Sequence, residues 1–144
     1  MRFLVDTNIF LDFFFHRENG FDEAKKFFIS CYKEKHQIYV SSMSLRDIGY
    51  VAHRITHNSD IARDIQLKTY SLATKVCGIS ADAAIDALYS DNSDYEDSLQ
   101  IVAAQEILAD AIITNDKTGF KKCHGIKVFD IEEINKYMPK RVVI

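Results

Sequence analysis

The chain has 144 residues, the size of one ordinary domain with a continuous hydrophobic core. Hydrophobic residues make up 47% of it and charged residues 27%, with five glycines and one proline, a composition that excludes a disordered chain. The formal net charge of -3 excludes an overall basic field that would attract nucleic acid, so any such contact must be local. We expect one domain over residues 1–144.

The first residues of the chain and its cysteines indicate in which cellular compartment the protein is expected. Asp6 interrupts the apolar run that a signal peptide would need, and no later segment approaches a membrane span. Cys31, Cys77 and Cys123 are odd in number, and none forms the CxxC pair of a zinc or redox site. We expect a cytoplasmic protein with buried free thiols and no membrane contact.

Short apolar runs alternate with helical spacings along the chain. In chain order, the runs predict strands over 3–5, 37–40, 76–79, 111–113 and 126–129. Apolar residues at helical spacing, with capping residues before them, predict helices over 9–15, 21–35, 43–57, 61–75, 81–89, 94–109 and 131–137. This alternation predicts an α/β sandwich, with a parallel sheet covered by helices on both faces.

Carboxylates stand where predicted strands end. Asp6 ends the first strand, and Thr114-Asn115-Asp116 ends the strand over 111–113, so neighbouring strands would bring Asp6 and Asp116 to one edge of the sheet. Ligands bind at that edge in open parallel sheets. Helix capping is the alternative for Asp6, because Asp, Thr and Asn are expected before a helix in any case.

Asp97 is harder to explain as an ordinary surface residue. It continues a stripe of Ile101, Ala104 and Leu108 at helical spacing, and this stripe is predicted to face the core. No Lys or Arg lies within one turn, so a bound metal is a natural counter-charge for a buried carboxylate. The alternative is that Asp97 lies in the first turn, points to solvent and interacts favourably with the helix dipole.

Three further acids extend the candidate site. Asp94 and Glu96 join Asp97 in the run Asp-Tyr-Glu-Asp, a dense acidic group that is costly without a cation. Asp47 lies one turn into the helix after the second strand, where an exposed helix acid is the alternative. Together the carboxylates predict an oxygen-lined site for Mg²⁺ or Mn²⁺, which can activate water to hydrolyse a phosphodiester bond of RNA or DNA.

Four stretches, in their order and spacing, resemble the motifs of PIN-domain proteins. They are Phe-Leu-Val-Asp6-Thr-Asn-Ile-Phe-Leu-Asp, Ser41-Ser-Met-Ser-Leu-Arg-Asp47-Ile-Gly-Tyr, Asp94-Tyr-Glu-Asp97-Ser-Leu-Gln and Ile113-Thr-Asn-Asp116-Lys-Thr-Gly-Phe. The resemblance implies a three-layer α/β/α sandwich with a five-stranded parallel sheet in the order 3-2-1-4-5. It also implies an acidic pocket at the C-terminal strand ends and Mg²⁺- or Mn²⁺-dependent cleavage of RNA.

The resemblance also implies roles for individual residues. By position, the catalytic and metal-binding acids would be Asp6, Asp47, Asp97 and Asp116. The supporting residues would be Asn8, Thr114, Glu96 and Asp94. In relatives, Glu is usual where this chain has Asp47.

The fourth motif departs from that of a related subgroup in two places. The subgroup has an arginine at the position of Asn115 and an acid at the position of Gly119. Asp116 is the candidate to replace the missing acid. Either Lys117 replaces the arginine as a phosphate contact, or activity is reduced.

The leading hypothesis is an endoribonuclease, with RNA as substrate. Many relatives are VapC-type toxins held inactive by a small antitoxin, which would then be the partner. The alternative is a PIN-like module that binds RNA or protein with weak or no cleavage, and a third hypothesis is a structure-specific DNA nuclease. Phe13, Phe14 and Phe15 either belong to the core or form a surface for a homodimer or an antitoxin.

Overall fold

A computed structural model describes residues 1–92, 94–120 and 125–138, so the predicted thiol at Cys123 lies outside the described residues. Five strands are formed: β1 Arg2–Val5, β2 Gln37–Ser41, β3 Lys75–Cys77, β4 Ala111–Ile113 and β5 Lys127–Phe129. The described residues also form seven α-helices: α1 Thr7–Phe14, α2 Phe21–Glu34, α3 Ser42–Thr56, α4 Ser59–Leu72, α5 Ala81–Leu88, α6 Tyr95–Glu106 and α7 Ile131–Tyr137. None of these helices combines the length and hydropathy needed to cross a membrane.

The five strands are parallel and lie in the order β3-β2-β1-β4-β5, which confirms the predicted sheet. Central β1 pairs with β2 on one side and with β4 on the other, with Leu4 opposite both Tyr39 and Ile112. The chain moves outward in opposite directions on the two sides of β1. Such a switch point leaves a crevice at the carboxyl ends of the central strands, where ligands bind in this class of sheet.

Alternate strand residues face two separate hydrophobic cores. Phe3 and Val5 face the larger core, which contains buried residues of α1, α2, α3, α4 and α7. Leu4 faces a smaller core formed with α6 and with a turn of 3-10 helix at Lys117–Phe120 that no sequence pattern had predicted. Helices therefore cover both faces of the sheet, as a three-layer sandwich requires.

An aromatic cluster between α1 and α2 organises the larger core. Phe10 is fully buried and stacks on Phe28 with ring centroids 5.5 Å apart. Phe13, Phe14 and Phe15 are half-buried and pack against the same core. The core interpretation of the phenylalanine run is therefore the one that the structure supports.

The apolar stripe predicted for α6 is wrong in part, and some of the apolar residues whose spacing predicted the helix over 61–75 are exposed. Leu108 is 76% exposed, because α6 ends at Glu106 and Leu108 adopts left-handed backbone with φ 55° on the way to β4. On α4, Ile61 and Tyr70 are exposed while Ala62 and Ile65 are buried. Helix α4 therefore packs on the core through the face that carries Ala62 and Ile65, next to α3.

We expect Phe10→Ala to lower the free energy of unfolding by about 3–5 kcal/mol, because it leaves a cavity in a closely packed aromatic cluster. Urea denaturation followed by circular dichroism measures the change. Tyr32→Ala truncates a side chain of α2 that is 87% exposed, and should change stability by less than about 0.5 kcal/mol. Equal losses in the two variants would contradict the described packing.

Candidate functional site

A cavity of about 420 Å³ opens at the carboxyl edge of the sheet, beside the ends of β1 and β4. Its lining includes seven of the residues singled out from the sequence: Asp6, Asn8, Asp47, Asp94, Glu96, Asp97 and Asp116. The eighth, Thr114, is buried and bonds to Asp6. Arg46 is the one cationic side chain among the described lining residues. The fold thus collects the candidate carboxylates of four sequence segments in one place.

Asp6 is both a helix cap and a cavity residue. Its Oδ1 accepts hydrogen bonds from the Thr7 N–H at 2.8 Å, which caps α1, and from the Gln100 side-chain amide at 3.3 Å. Its Oδ2 accepts a hydrogen bond from the Thr114 hydroxyl at 2.8 Å. Asp6 and Thr114 meet because each directly follows one of two paired strands. Capping and a place in the cavity are therefore compatible.

Asp97 lies in the first turn of α6 and is half-buried, between the two alternatives that its sequence position allowed. Burial raises the pKa of its carboxyl group to about 6, helped by the negative charges of Asp94, Asp6, Asp116 and Glu96. Among the described residues, no basic side chain forms an ion pair with it. A bound cation would relieve this accumulation of like charge.

Asp47 projects from α3 into the same cavity and is half-buried. Burial raises the pKa of its carboxyl group, Arg46 opposes the rise, and Asp6 adds to it. The Arg46 Nε atom lies 3.5 Å from the Asp47 Oδ1 atom, but the arginine side chain is 81% exposed. A pair with so exposed a partner contributes little free energy. Asp47 therefore belongs electrostatically to the acidic group.

The other predicted residues form the rim. Asp94 caps α6, and its Oδ1 accepts a hydrogen bond from the Asp97 N–H at 3.1 Å. Asp116 is exposed, and its Oδ1 accepts a hydrogen bond from the Thr118 N–H at 3.3 Å. Two further residues are exposed at the rim: Asn8 and Glu96.

The donor set suits a hard divalent cation, although it does not form a complete cage. Carboxylate oxygens are the ligands that Mg²⁺ and Mn²⁺ prefer. Within the described ranges, no three His, Cys, Asp or Glu side chains are placed to hold one ion together. Mg²⁺ is commonly held by one or two carboxylates while it keeps several waters, and that is the mode these side chains fit.

Gly119, where the related subgroup has an acid, lies directly against Asp97. A Cβ atom at position 119 would sit 1.5 Å from the Asp97 Oδ2 atom and 2.5 Å from its Cγ atom. The Gly119 carbonyl also accepts a hydrogen bond from the Asn92 side chain. Any side chain at this position would displace the Asp97 carboxylate, so the glycine makes room for it.

The hypothesis that Lys117 replaces the missing arginine is not supported. Lys117 forms an ion pair with Glu133 of α7, and it does not line the acidic cavity. The Asn115 amide donates to Asp12 at 3.4 Å, and its Oδ1 accepts from the Ile131 N–H at 3.1 Å. Asn115 lines a separate cavity of about 580 Å³ beside α1 and α7. Both side chains therefore connect α7 to its surroundings.

Sequence reasoning missed two buried polar residues beneath the cavity. Gln100 is 2% exposed and Ser44 is fully buried, and the Gln100 amide donates to the Ser44 hydroxyl at 2.9 Å. Their spacing was an available clue: Gln100 follows Asp97 by three residues, and Ser44 precedes Asp47 by three. A polar residue one helical turn from a candidate acid, on the side facing the core, belongs in the same search.

Comparisons with known proteins agree with the fold. The family model described as the PIN domain matches residues 2–118. No curated protein sequence matches the chain. Among similar solved structures is VapBC2 from Rickettsia felis bound to a DNA fragment from its promoter, with a TM-score of 0.66 and 16% identity, covering 90% of this chain and 98% of that chain.

Two further structures have the same fold. The sarcin-ricin loop cleaving toxin VapC20 from Mycobacterium tuberculosis has a TM-score of 0.65 and 14% identity, covering 83% of this chain and 95% of that chain. A toxin-antitoxin complex from Klebsiella pneumoniae has a TM-score of 0.60 and 22% identity, covering 89% of this chain and 96% of that chain. At these identities the likeness is one of fold.

We expect Asp97→Asn to stabilise the metal-free protein at pH 7 but not at pH 4. The folded-state pKa of about 6 lies above the ordinary value of 3.8, so the stability contributed by the protonated group is lost as pH rises from about 4 through 6. Removing the charge should restore about 1 kcal/mol of the free energy of unfolding at pH 7. The value is smaller than the full pKa shift implies, because solvent screens a half-buried carboxylate.

Thermal unfolding in EDTA between pH 4 and pH 8 measures this effect. Asp82→Asn, which removes an exposed acid of α5 outside the cavity, is the matched control. If Asp97→Asn were no more stable than the wild type at pH 7, the electrostatic account of the cavity would be wrong.

We expect Gly119→Ala to destabilise the protein by about 1 kcal/mol, at the low end of overpacking costs, because the new methyl group overlaps the Asp97 carboxylate but this half-buried side chain can rotate away. In an Asp97→Ala background, Gly119→Ala should destabilise the protein much less, because the carboxylate that the methyl group overlaps is no longer present. Urea denaturation of both single variants and the double variant completes the cycle. Additive free energies would contradict the close contact.

Proposed function

We propose that this chain, which belongs to the PIN-domain family, is a metal-dependent endoribonuclease that hydrolyses phosphodiester bonds of RNA. The observation that carries the proposal is the cavity in which Asp6, Asp47, Asp97 and Asp116 lie together at the carboxyl edge of the sheet. The raised pKa of Asp97 supports it, because the shift reflects burial of the carboxyl group and, in addition, the negative charges of neighbouring acids. The similar toxin from M. tuberculosis is described as cleaving the sarcin-ricin loop, which favours RNA as the substrate class.

Asp6 and Asp97 are the residues that we propose to hold Mg²⁺ or Mn²⁺, with Asp47 and Asp116 acting directly or through water. When bound, the metal supplies charge neutralisation at the phosphate and a lowered pKa for water. The three hydrogen bonds to Asp6 orient its carboxylate in advance, and one of them comes from Thr114.

Arg46 is the residue that we propose to contact the phosphate. Its exposed side chain lines the cavity, and a guanidinium group can donate two parallel hydrogen bonds to the oxygens of one phosphate. Arg46 would then replace the phosphate contact made by the arginine that the related subgroup has at the position of Asn115. The exposed Asn8, Asp94 and Glu96 would orient water at the rim.

The biological setting that we propose is a toxin–antitoxin pair, with a small antitoxin as partner and the cytoplasm as location. The similar structure from K. pneumoniae is a toxin-antitoxin complex, and the one from R. felis is VapBC2 with promoter DNA. A homodimer is part of the same proposal.

Purified protein should cleave single-stranded RNA with Mn²⁺ or Mg²⁺ and stop in EDTA. Asp6→Asn and Asp97→Asn should each reduce the rate by about 100-fold or more while remaining folded by circular dichroism, because each removes a proposed ligand. Asp82→Asn should cleave like the wild type. Full cleavage by both cavity variants would overturn the proposal, and preference for flap DNA over RNA would replace the substrate class.

The second candidate function is an RNA- or protein-binding module with weak or no cleavage. It is favoured by the lack, among the described residues, of three acids placed to hold one ion. Thermal unfolding in millimolar Mn²⁺ separates the two functions, because a cation that binds only the folded state raises the melting temperature. A melting temperature that does not respond to Mn²⁺ would favour the binding module.

A further inference from the structure

A buried amide joins the three elements that carry Asp6, Asp47 and Asp97. Gln100 lies one turn after Asp97 on α6, and its Nε2 donates to the Asp6 Oδ1 at 3.3 Å and to the Ser44 Oγ at 2.9 Å. Ser44 lies one turn before Asp47 on α3. Gln100 and Ser44, each one helical turn from an acid of the cavity, therefore meet beneath Asp6.

Asp6 decides the orientation of this amide. A carboxylate oxygen only accepts hydrogen bonds, so the NH₂ end of Gln100 must face it. In that orientation the Gln100 Oε1 atom is buried with no hydrogen-bond partner in the part of the chain that the structure describes. A buried acceptor left unpaired costs free energy, and such atoms call for an explanation. The fold tolerates one here while both donors point at Asp6 and Ser44.

The chemistry of a neutral amide explains why this residue type suits the position. A lysine or arginine next to Asp6 would neutralise the carboxylate and compete with a cation. A glutamate would add a further like charge to the acids that already raise the pKa of Asp97. Gln100 holds the carboxylate by a hydrogen bond and leaves the net charge of the cavity unchanged.

Hydroxyl groups extend this network of uncharged side chains beneath the cavity. The Ser44 Oγ atom also lies 3.0 Å from the Thr7 Oγ1 atom and 3.2 Å from the Ser41 Oγ atom. Ser41 in turn caps α3 through the Ser44 N–H at 3.0 Å. The network therefore connects the start of α3 to the start of α1, with the Gln100 amide as its link to α6.

We propose that Gln100 is a positioning residue that holds Asp6 in place relative to Asp97, so that a divalent cation meets a prearranged pair of carboxylates. The inference rests on the proposed metal-dependent function. It predicts that loss of the amide weakens cation binding even where the fold is intact, because hydrogen-bond partners of metal ligands set ligand orientation.

Mn²⁺ binding to the full chain at pH 7 tests this, measured by the electron paramagnetic resonance signal of free Mn²⁺. Gln100→Leu should bind Mn²⁺ about 10- to 100-fold more weakly than the wild type. Gln105→Leu makes the same substitution at an exposed position of α6 outside the cavity, and should bind like the wild type. Thermal unfolding without metal reports any purely structural effect separately.

The outcomes separate the inference from the function on which it rests. A folded wild-type protein that binds no Mn²⁺ would overturn the metal-dependent function, and the inference with it. If the wild type binds Mn²⁺ and Gln100→Leu binds it equally well, only the positioning role is overturned, whatever happens to the melting temperature. Should Gln100→Leu fail to fold, Ser44→Ala decides instead: about 3- to 10-fold weaker binding supports the role, and unchanged binding overturns it.

Discussion

The parallel pairing of β1 with β4 determines where the acidic residues of this protein lie. It places Asp6 and Thr114 side by side, one residue beyond the last paired positions of the two strands. The order of connections reverses at β1, and such a switch point leaves a crevice at the carboxyl ends of the central strands. The starts of α1, α3 and α6 surround the opening that remains, and each contributes carboxylates to it.

Desolvation and mutual repulsion of the carboxylates are the cost of this arrangement, and both raise the pKa of Asp97, burial the more strongly. The fold limits the cost in two ways that do not require a basic residue. Rim acids such as Asp94 cap helix α6, where the positive end of the helix dipole favours them. Beneath the cavity, Asp6 is held by a backbone N–H, a hydroxyl and an amide, all of them neutral. The cavity therefore keeps its negative charge available for a cation.

The contact between Gly119 and Asp97 changes how the departures from the family pattern are understood. The sequence has a glycine where the related subgroup has an acid. In the structure, the carboxylate of Asp97 occupies the space that a side chain at position 119 would need. The glycine therefore leaves room for the carboxylate of Asp97, and Asp116 remains the residue that we propose as the acid of the fourth motif. Arg46, which lines the cavity, is the residue that we propose in place of the arginine missing at Asn115.

Local features of this protein followed from the sequence alone. The strands, most helix limits and the cap at Asp6 depend on residue types within a few positions of one another, so a linear pattern contains them. The strand order came from the resemblance to a family, which carries three-dimensional information that periodicity lacks. The candidate acids were selected from the strand ends and helical spacing, and the resemblance then singled out the same residues. The exposure of Leu108 was missed because helical periodicity does not state where the helix stops.

Only the tertiary structure decided which groups touch each acid. The amide of Gln100 meets Asp6 across 94 positions of sequence and Ser44 across 56. Lys117 is paired with Glu133, although the sequence allowed it to face the cavity. Such contacts depend on how helices cross the sheet and on which rotamers the packing leaves open, and no short-range pattern encodes them. The sequence therefore determined which carboxylates stand at the ends of the strands, and the packing of α3 and α6 around β1 determined how closely they approach.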